Sequence, residues 1–470
     1  MPEAENKKTG KHGIRIPKPN PAASADALRD ESTQYGDEVE APIRLRKRTD
    51  ARVPIMRNRQ AAPGDEKQTA AAPELPKVAP KRKKKPRKKR RTYRSFYDMM
   101  NATGSDGLFR PIHVFGREIR FWPLIVVAAV AILAVGVMLN NSNLSVTEDT
   151  VTVVGLPRDM EGYRIVVLTD MNAKRFGDKQ SLLLRTLNGL KYDAIFCLGD
   201  MVGKSGNAQP FWEFLEGLKS PEKVYFICGD SDPGPYVKTA RATEGILSQL
   251  ILEDWILGAI ERGANYVDAP VRIPIKDSVL WLSPATMLNL EASSTLESWQ
   301  EQTEQEEDGV RSGINEDYVN LPVTTYRKKL AQQLYDSQRA MNASDIHIAL
   351  AHEPPTEDFL YTSQDHSAED GRFLASPELL LAGHYCGGVW RIPALGAIYV
   401  PDETLPRGGW FPGDDQVSGL SAVGGMQVYV ARGLSTNGAV PLMPFRLFNP
   451  PEICVLTLTS TLPENMLEAG

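Results

Sequence analysis

YRIVVLTD (163–170), DAIFCLGD (193–200) and KVYFICGDSD (223–232) are three short apolar runs, each ending on an acidic residue. Between them lie SLLLRTLNGLK (181–191) and FWEFLEGLK (211–219), which place their apolar residues at helical spacing. The succession reads as βαβαβ, which implies neighbouring parallel strands joined by right-handed crossovers. Asp170, Asp200 and Asp230 then fall just beyond the C-terminal ends of consecutive strands. In open α/β sheets that edge is where ligands bind. Three carboxylates converging there repel one another unless a cation sits between them. Helix capping explains one such Asp well, and three in a row poorly.

Later runs carry nitrogen ligands on the same plan. IHIALAHEPP (346–355) reads as a strand with His352 at its end, and ELLLAGHYCGG (378–388) as another that ends in Gly383, His384, Tyr385 and Cys386. His347 lies within its strand and reads as a packed or surface residue. His366 is expected in a polar loop, away from the chemistry. Cys197 and Cys228 sit in apolar runs and read as buried thiols. Four widely spaced cysteines do not make a disulfide scaffold.

Residues 291–318, acidic and polar, read as a mobile surface insertion. YRKKLAQQLYDSQRAM (326–341) follows as an amphipathic helix. MQVYVARGL (426–434) and NPPEICVLTLTS (449–460) supply strands for a second sheet.

Upstream the chain changes character. Residues 1–120 hold 29 Lys+Arg against 15 Asp+Glu, whereas the remaining 350 hold 25 against 44. Residues 1–95 are rich in Pro, Ala and charge and read as a disordered tail, with 96–120 a juxtamembrane segment. FWPLIVVAAVAILAVGVML (121–139) carries no charge and is about as long as a helix needs to cross a bilayer. The basic run KRKKKPRKKRRTYR (81–94) precedes it, and NNSNLSVTEDT (140–150) follows without Lys or Arg. The positive-inside rule places the N-terminus in the cytoplasm and the rest beyond the membrane. For the basic run this reading favours topology and anionic lipid headgroups over nucleic acid. The outer part divides into a linker (140–159), a domain (160–460) and a tail (461–470).

The ordered motifs strand-Asp, strand-Gly-Asp, strand-Gly-x-x-Asp, strand-His and strand-Gly-His-x-x-Gly-Gly resemble the calcineurin-like metallophosphoesterases, in their membrane-anchored bacterial envelope branch. LGAIYVP (395–401), RGL (432–434) and FRLFNPPEI (445–453) add to the likeness. The resemblance implies an α/β fold of two packed mixed sheets flanked by helices. It implies hydrolysis of a phosphomono- or diester at one or two divalent ions (Mn, Zn or Fe), the substrate being a phosphorylated small molecule, a lipid or a wall precursor. Asp200 would bridge the ions, and Asp200 and His384 would carry the catalysis. Asp200, Asp230, His352 and His384 would hold one ion; Asp170, Asn172, Asp200 and Cys386 the other. Four positions depart from the pattern. Asn172, Asp230 and Cys386 stand for its His, Asn and His, and Ser231 stands where it keeps a His that protonates the leaving group. A hydroxyl is a poor general acid at neutral pH. The alternative is an impaired phosphoesterase-like protein that binds or scaffolds.

Overall fold

The computed structural model describes residues 112–114, 117–119, 122–238, 250–313, 320–369, 371–392, 395–401, 407–412, 417–436 and 445–461. The basic tail, the run 81–94 and most of the juxtamembrane segment and C-terminal tail lie outside them.

The first six-stranded sheet contains β1 (Ser145–Thr152), β2 (Arg164–Leu168), β3 (Ala194–Cys197), β4 (Val224–Phe226), β5 (Asn265–Tyr266) and β12 (Glu452–Thr459). Its order is β1-β12-β2-β3-β4-β5, parallel throughout except for the antiparallel pair β12–β2. The second contains β6 (Val271–Ile275), β7 (Ser278–Pro284), β8 (Ile346–Leu350), β9 (Leu379–Ala382), β10 (Gly419–Val423) and β11 (Met426–Val430). It runs β6-β7-β8-β9-β11-β10, with antiparallel pairs at its two edges and parallel pairs between.

Buried strands of parallel sheets carry apolar residues on both faces, and β2 shows why. Ile165 and Val167 point into the layer between the sheets, where they join Phe196, Leu282, Ile348, Leu381 and Leu456. Val166 and Leu168 point the other way. There they meet α2 (Ser181–Asn188), α3 (Gln209–Glu216) and α4 (Asp254–Glu261) through Leu183, Phe211, Phe214 and Trp255. The outer face of the second sheet packs Ala349, Leu380 and Val428 against Leu330, Leu334 and Leu360 of α6 (Leu321–Ala340) and α7 (Glu357–Glu369). The result is two mixed sheets face to face, with helices outside both, as the resemblance implied.

Two expectations need correction. Residues 292–311 of the acidic stretch form a continuous helix, α5 (Ala292–Arg311), with Ala292, Leu296 and Thr303 buried. Its polar side chains support it locally: Arg311 pairs with Glu307 at 3.2 Å and Asp308 at 2.8 Å, one turn back. His366 lies in α7 rather than in a loop, stacked on Phe373 at 4.3 Å between ring centroids.

Residues Trp122–Ser142 form one helix, α1. Among the residues whose side chains are described, no helix is long and apolar enough to cross a membrane; in α1 those are residues 125–132, 134–138 and 141–142, and the rest of the span expected over 121–139 lies outside them.

Candidate metal centre

The strand ends converge. Asp170 lies two residues past β2 and Asp200 three past β3. Asp230 lies four past β4, His352 two past β8, and His384 two past β9. The two sheets present these ends at one edge of their shared core.

The backbone there is held in an uncommon state. Asp170 (φ 55°), Asn172 (49°), Asp200 (53°), His384 (63°) and Cys386 (51°) are all left-handed. They are five of eleven such non-glycine residues among those described. Left-handed backbone costs on the order of 1 kcal/mol or more per residue and persists where the surroundings dictate it. Here it re-aims side chains just past the strand ends into one space. Small residues let the loops approach. A Cβ on Gly199 would lie 2.7 Å from the Gly229 Cα and 2.8 Å from His352 Nδ1, and one on Gly229 would overlap the Asp200 backbone and carboxylate.

Asp170, Asp200, His352 and His384 are buried, whereas the Asp230 side chain is 41% exposed and forms the open side. His352 Nδ1 lies 2.7 Å from the Leu198 carbonyl. A carbonyl only accepts, so Nδ1 carries the proton, and in the neutral ring Nε2 has a free lone pair. That Nε2 faces Asp230 Oδ1 at 2.9 Å, Asp200 Oδ1 at 3.5 Å and His384 Nδ1 at 3.1 Å. His384 Nδ1 is also 3.0 Å from Asp230 Oδ1. Two sets of groups could each hold a metal ion: Asp230, His352 and His384, and Asp170, Asp200 and His352.

Orphaned atoms test whether a cation fits. Asp170 Oδ1, Asp200 Oδ2 and His384 Nε2 are buried with no hydrogen-bond partner among the described residues. The other Asp170 oxygen accepts from Thr169 Oγ1 at 2.9 Å and the His384 N–H at 3.2 Å, and the other Asp200 oxygen accepts from the Ser231 N–H at 2.9 Å. Each carboxylate is therefore anchored by one oxygen and leaves the other free. A buried, unpaired acceptor costs roughly 1–3 kcal/mol, more if charged, and a divalent ion removes that cost at both at once. The residues fit a metal.

Electrostatics agree with a site short of positive charge. Burial, with the neighbouring Asp200, pushes the Asp170 carboxyl up, against the pull of His352 and His384. Burial would lower the His352 imidazole, yet hydrogen bonds from it to Asp200 and Asp230 raise it well above its ordinary value. Burial would likewise raise Asp230, but the two imidazoles hold it far below the carboxylate range.

Cys386 belongs to neither group. The Asn172 N–H donates to the Asp200 carbonyl at 2.7 Å, while its side-chain Nδ2 is buried without a partner among the described residues. Turning the amide over would bring its oxygen to that place. Cys386 Sγ is 3.5 Å from the His384 carbonyl. Asp232 is no ligand: it accepts from the N–H groups of Val202 and Gly203, both at 2.8 Å, and of Gly229 at 3.0 Å, which binds the β3 and β4 loops together. Ser231 is buried, with its Oγ 3.5 Å from Asp230 Oδ2.

His347 is packed, as one of its two readings had it. It is buried between Ser283 Oγ at 2.7 Å and the Ala375 carbonyl at 2.6 Å. The residue that the motifs did not single out is Arg446. Its guanidinium is buried and donates to the carbonyls of Asn449 (2.9 Å), Gly433 (2.8 Å), Ser435 (3.1 Å), Cys386 (2.9 Å) and Arg432 (2.7 Å). It ties the loop after β9 to the loop after β11.

A mixed two-sheet α/β fold with a candidate metal centre at its strand ends is thus what fold and site define. No family model matches the sequence, and no curated protein is similar to it. Among solved structures, the crystal structure of phosphopantetheinyl hydrolase (PptH) from Mycobacterium tuberculosis is similar at 8% identity and a TM-score of 0.28, over 58% of this chain and 91% of that one. A likeness that slight carries no chemistry across, and the reading of this chain rests on its own residues.

Proposed function

We propose that this chain is a metal-dependent hydrolase of phosphomono- or diesters, held at a membrane by α1. The observation that carries the reading is the pair of orphaned carboxylate oxygens, Asp170 Oδ1 and Asp200 Oδ2, in a cluster that also holds His352 and His384. Asp200, Asp230, His352 and His384 would hold one ion, and Asp170 with Asp200 a second, with Asn172 and Cys386 as its further ligands. A bound pair of divalent ions supplies a hydroxide at neutral pH and charge for the phosphoryl oxygens.

The chain's own groups do the rest. The Leu198 carbonyl fixes the His352 tautomer, and Ser231 N–H and Thr169 Oγ1 orient Asp200 and Asp170. Residue 231 offers no imidazole to protonate a departing alkoxide. Substrates whose leaving group needs no proton, such as aryl phosphates or pyrophosphate-type bonds, are therefore favoured. Membrane attachment points to a lipid- or wall-precursor-linked phosphate, with the domain outside the cytoplasm. Residues 81–94 would then rest on anionic lipid.

The test compares matched aryl and alkyl phosphoesters with Mn, Zn or Fe supplied to the full chain in detergent. Aryl esters turning over at least about a hundredfold faster is the expected result for chemistry without a general acid, whose contribution is typically 10²–10⁴-fold. Equal rates would refute the account of Ser231. One observation favours the second reading, a binding or scaffolding protein: Cys386 belongs to neither group of convergent ligands. No turnover of either ester by metal-loaded protein would support it.

A further inference from the structure

The surface around the C-terminal end of α1 is unusually apolar. Ile125, Val126, Val127, Val130, Ile132, Val135 and Met138 of α1 are all exposed. At about 100° per residue these positions fall all round the helix rather than on one face. A protein partner covering one side would leave the rest in water, and only a lipid surround removes them all.

The helix then meets the domain at a fixed point. Asn141 Nδ2 donates to the Arg446 carbonyl at 2.8 Å, and the Arg446 N–H donates back to Asn141 Oδ1 at 2.9 Å. Lys174 Nζ donates to the Asn141 carbonyl at 3.1 Å. On either side of Arg446 stand aromatic residues. Phe445 stacks on Trp390 at 6.0 Å, and Phe448 is 55% exposed. Trp390 belongs to a small three-stranded sheet, Trp390–Ile392, Gly396–Val400 and Gly409–Trp410, which is bridged to Leu447. That sheet exposes Ile392, Leu395, Trp410 and, just past its end, Phe411.

Backbone conformation makes a second, independent observation. Phe411 (φ 52°) and Phe448 (φ 51°) are left-handed, a state that bulky residues rarely adopt. Both rings are exposed, so this strain gains the domain no burial. It is accounted for if the rings are buried in something outside the chain.

We infer that Ile392, Leu395, Trp410, Phe411 and Phe448 form a membrane-contacting face that lies on the same bilayer that α1 enters, with Trp and Phe at headgroup depth. Aromatic side chains favour that depth. The inference rests on the proposed membrane attachment and adds to it a fixed orientation of the domain. Arg446 Nη2 and Asn449 Nδ2 both donate to the Cys386 carbonyl, at 2.9 and 2.8 Å. The loop bearing His384 and Cys386 is thus linked directly to the segment that carries Phe448. The metal centre is thereby tied through Arg446 and Asn449 to the face proposed to lie on lipid.

The experiment uses the full chain in vesicles of phosphatidylethanolamine and phosphatidylglycerol with brominated acyl chains. Flotation after alkaline carbonate reports whether α1 is inserted. Quenching of tryptophan emission, in Trp122→Phe, which removes the tryptophan of α1, and in Trp122→Phe with Trp410→Phe, reports whether the face touches lipid. Carbonate-resistant flotation of both proteins, with most of the quenchable emission lost once Trp410→Phe is added, is expected. Phe411→Ser with Phe448→Ser should weaken the Trp410 quenching and leave carbonate resistance intact. If both proteins float after carbonate but Trp410 is not quenched, the face does not lie on lipid and the inference fails, while the anchor stands. Contact between Trp410 faces of two copies, seen by cross-linking in the same vesicles, would also overturn it. Loss of flotation would sink the anchor itself.

Discussion

His347 shows how a single buried residue gives this protein a pH dependence. Burial pushes its imidazole down to about 4, against a hydrogen bond to the Ala375 carbonyl that would raise it. The unfolded chain binds a proton near pH 6.5 and the folded chain does not, so stability falls as pH drops from about 6.5 to about 4 and levels off below. The loss is on the order of 3 kcal/mol for a shift of this size. Replacing His347 with Gln should remove that part of the slope. Denaturant midpoints of wild type and variant between pH 7 and 4.5 would reveal it, and parallel curves would show that His347 is not kept neutral.

Arg446 is the other residue whose weight exceeds its visibility. Its five main-chain acceptors belong to residues 386, 432, 433, 435 and 449. Arg446→Ala leaves several buried carbonyls unsatisfied, which should cost on the order of 3 kcal/mol or more, while Arg446→Lys recovers part of it. Urea titration measures both. A variant as stable as the wild type would mean that the loops after β9 and β11 hold themselves. Nothing in FRLFNPPEI could announce this role, because every acceptor of the guanidinium but one lies more than ten residues away in sequence.

At the scale of elements, the strand ends decide where chemistry can occur. The approach of the β3 and β4 loops requires a residue without a side chain at 229. Gly229→Ala should push Asp200 out of place, reducing bound metal strongly while far-UV circular dichroism stays unchanged. Normal metal content in that variant would show that the loops can yield. Much of this level was legible: β2, β3 and β4 were readable as apolar runs because both faces of each are buried, and the acids after them stood out for their repetition. The helix α5 was not. Its polar composition reads as solvent-exposed loop, and what makes it a helix is local pairing at Arg311 and packing through Leu296 and Thr303, neither of which alternates clearly enough in the sequence. The places of Asn172 and Cys386 come from the resemblance; of the two, Cys386 lies outside the convergent groups of His, Cys, Asp and Glu.

For the whole molecule, one claim is central: the strand ends of two packed sheets hold divalent metal through Asp200 and its neighbours. Metal content per chain, measured on the full-length protein purified in detergent without oxygen beside Asp200→Ala, tests it most directly. One or two ions per chain in the wild type, lost in the variant together with hydrolysis of aryl phosphoesters, is the predicted result. No bound metal in the wild type, even after Mn, Zn and Fe are supplied, would contradict the claim.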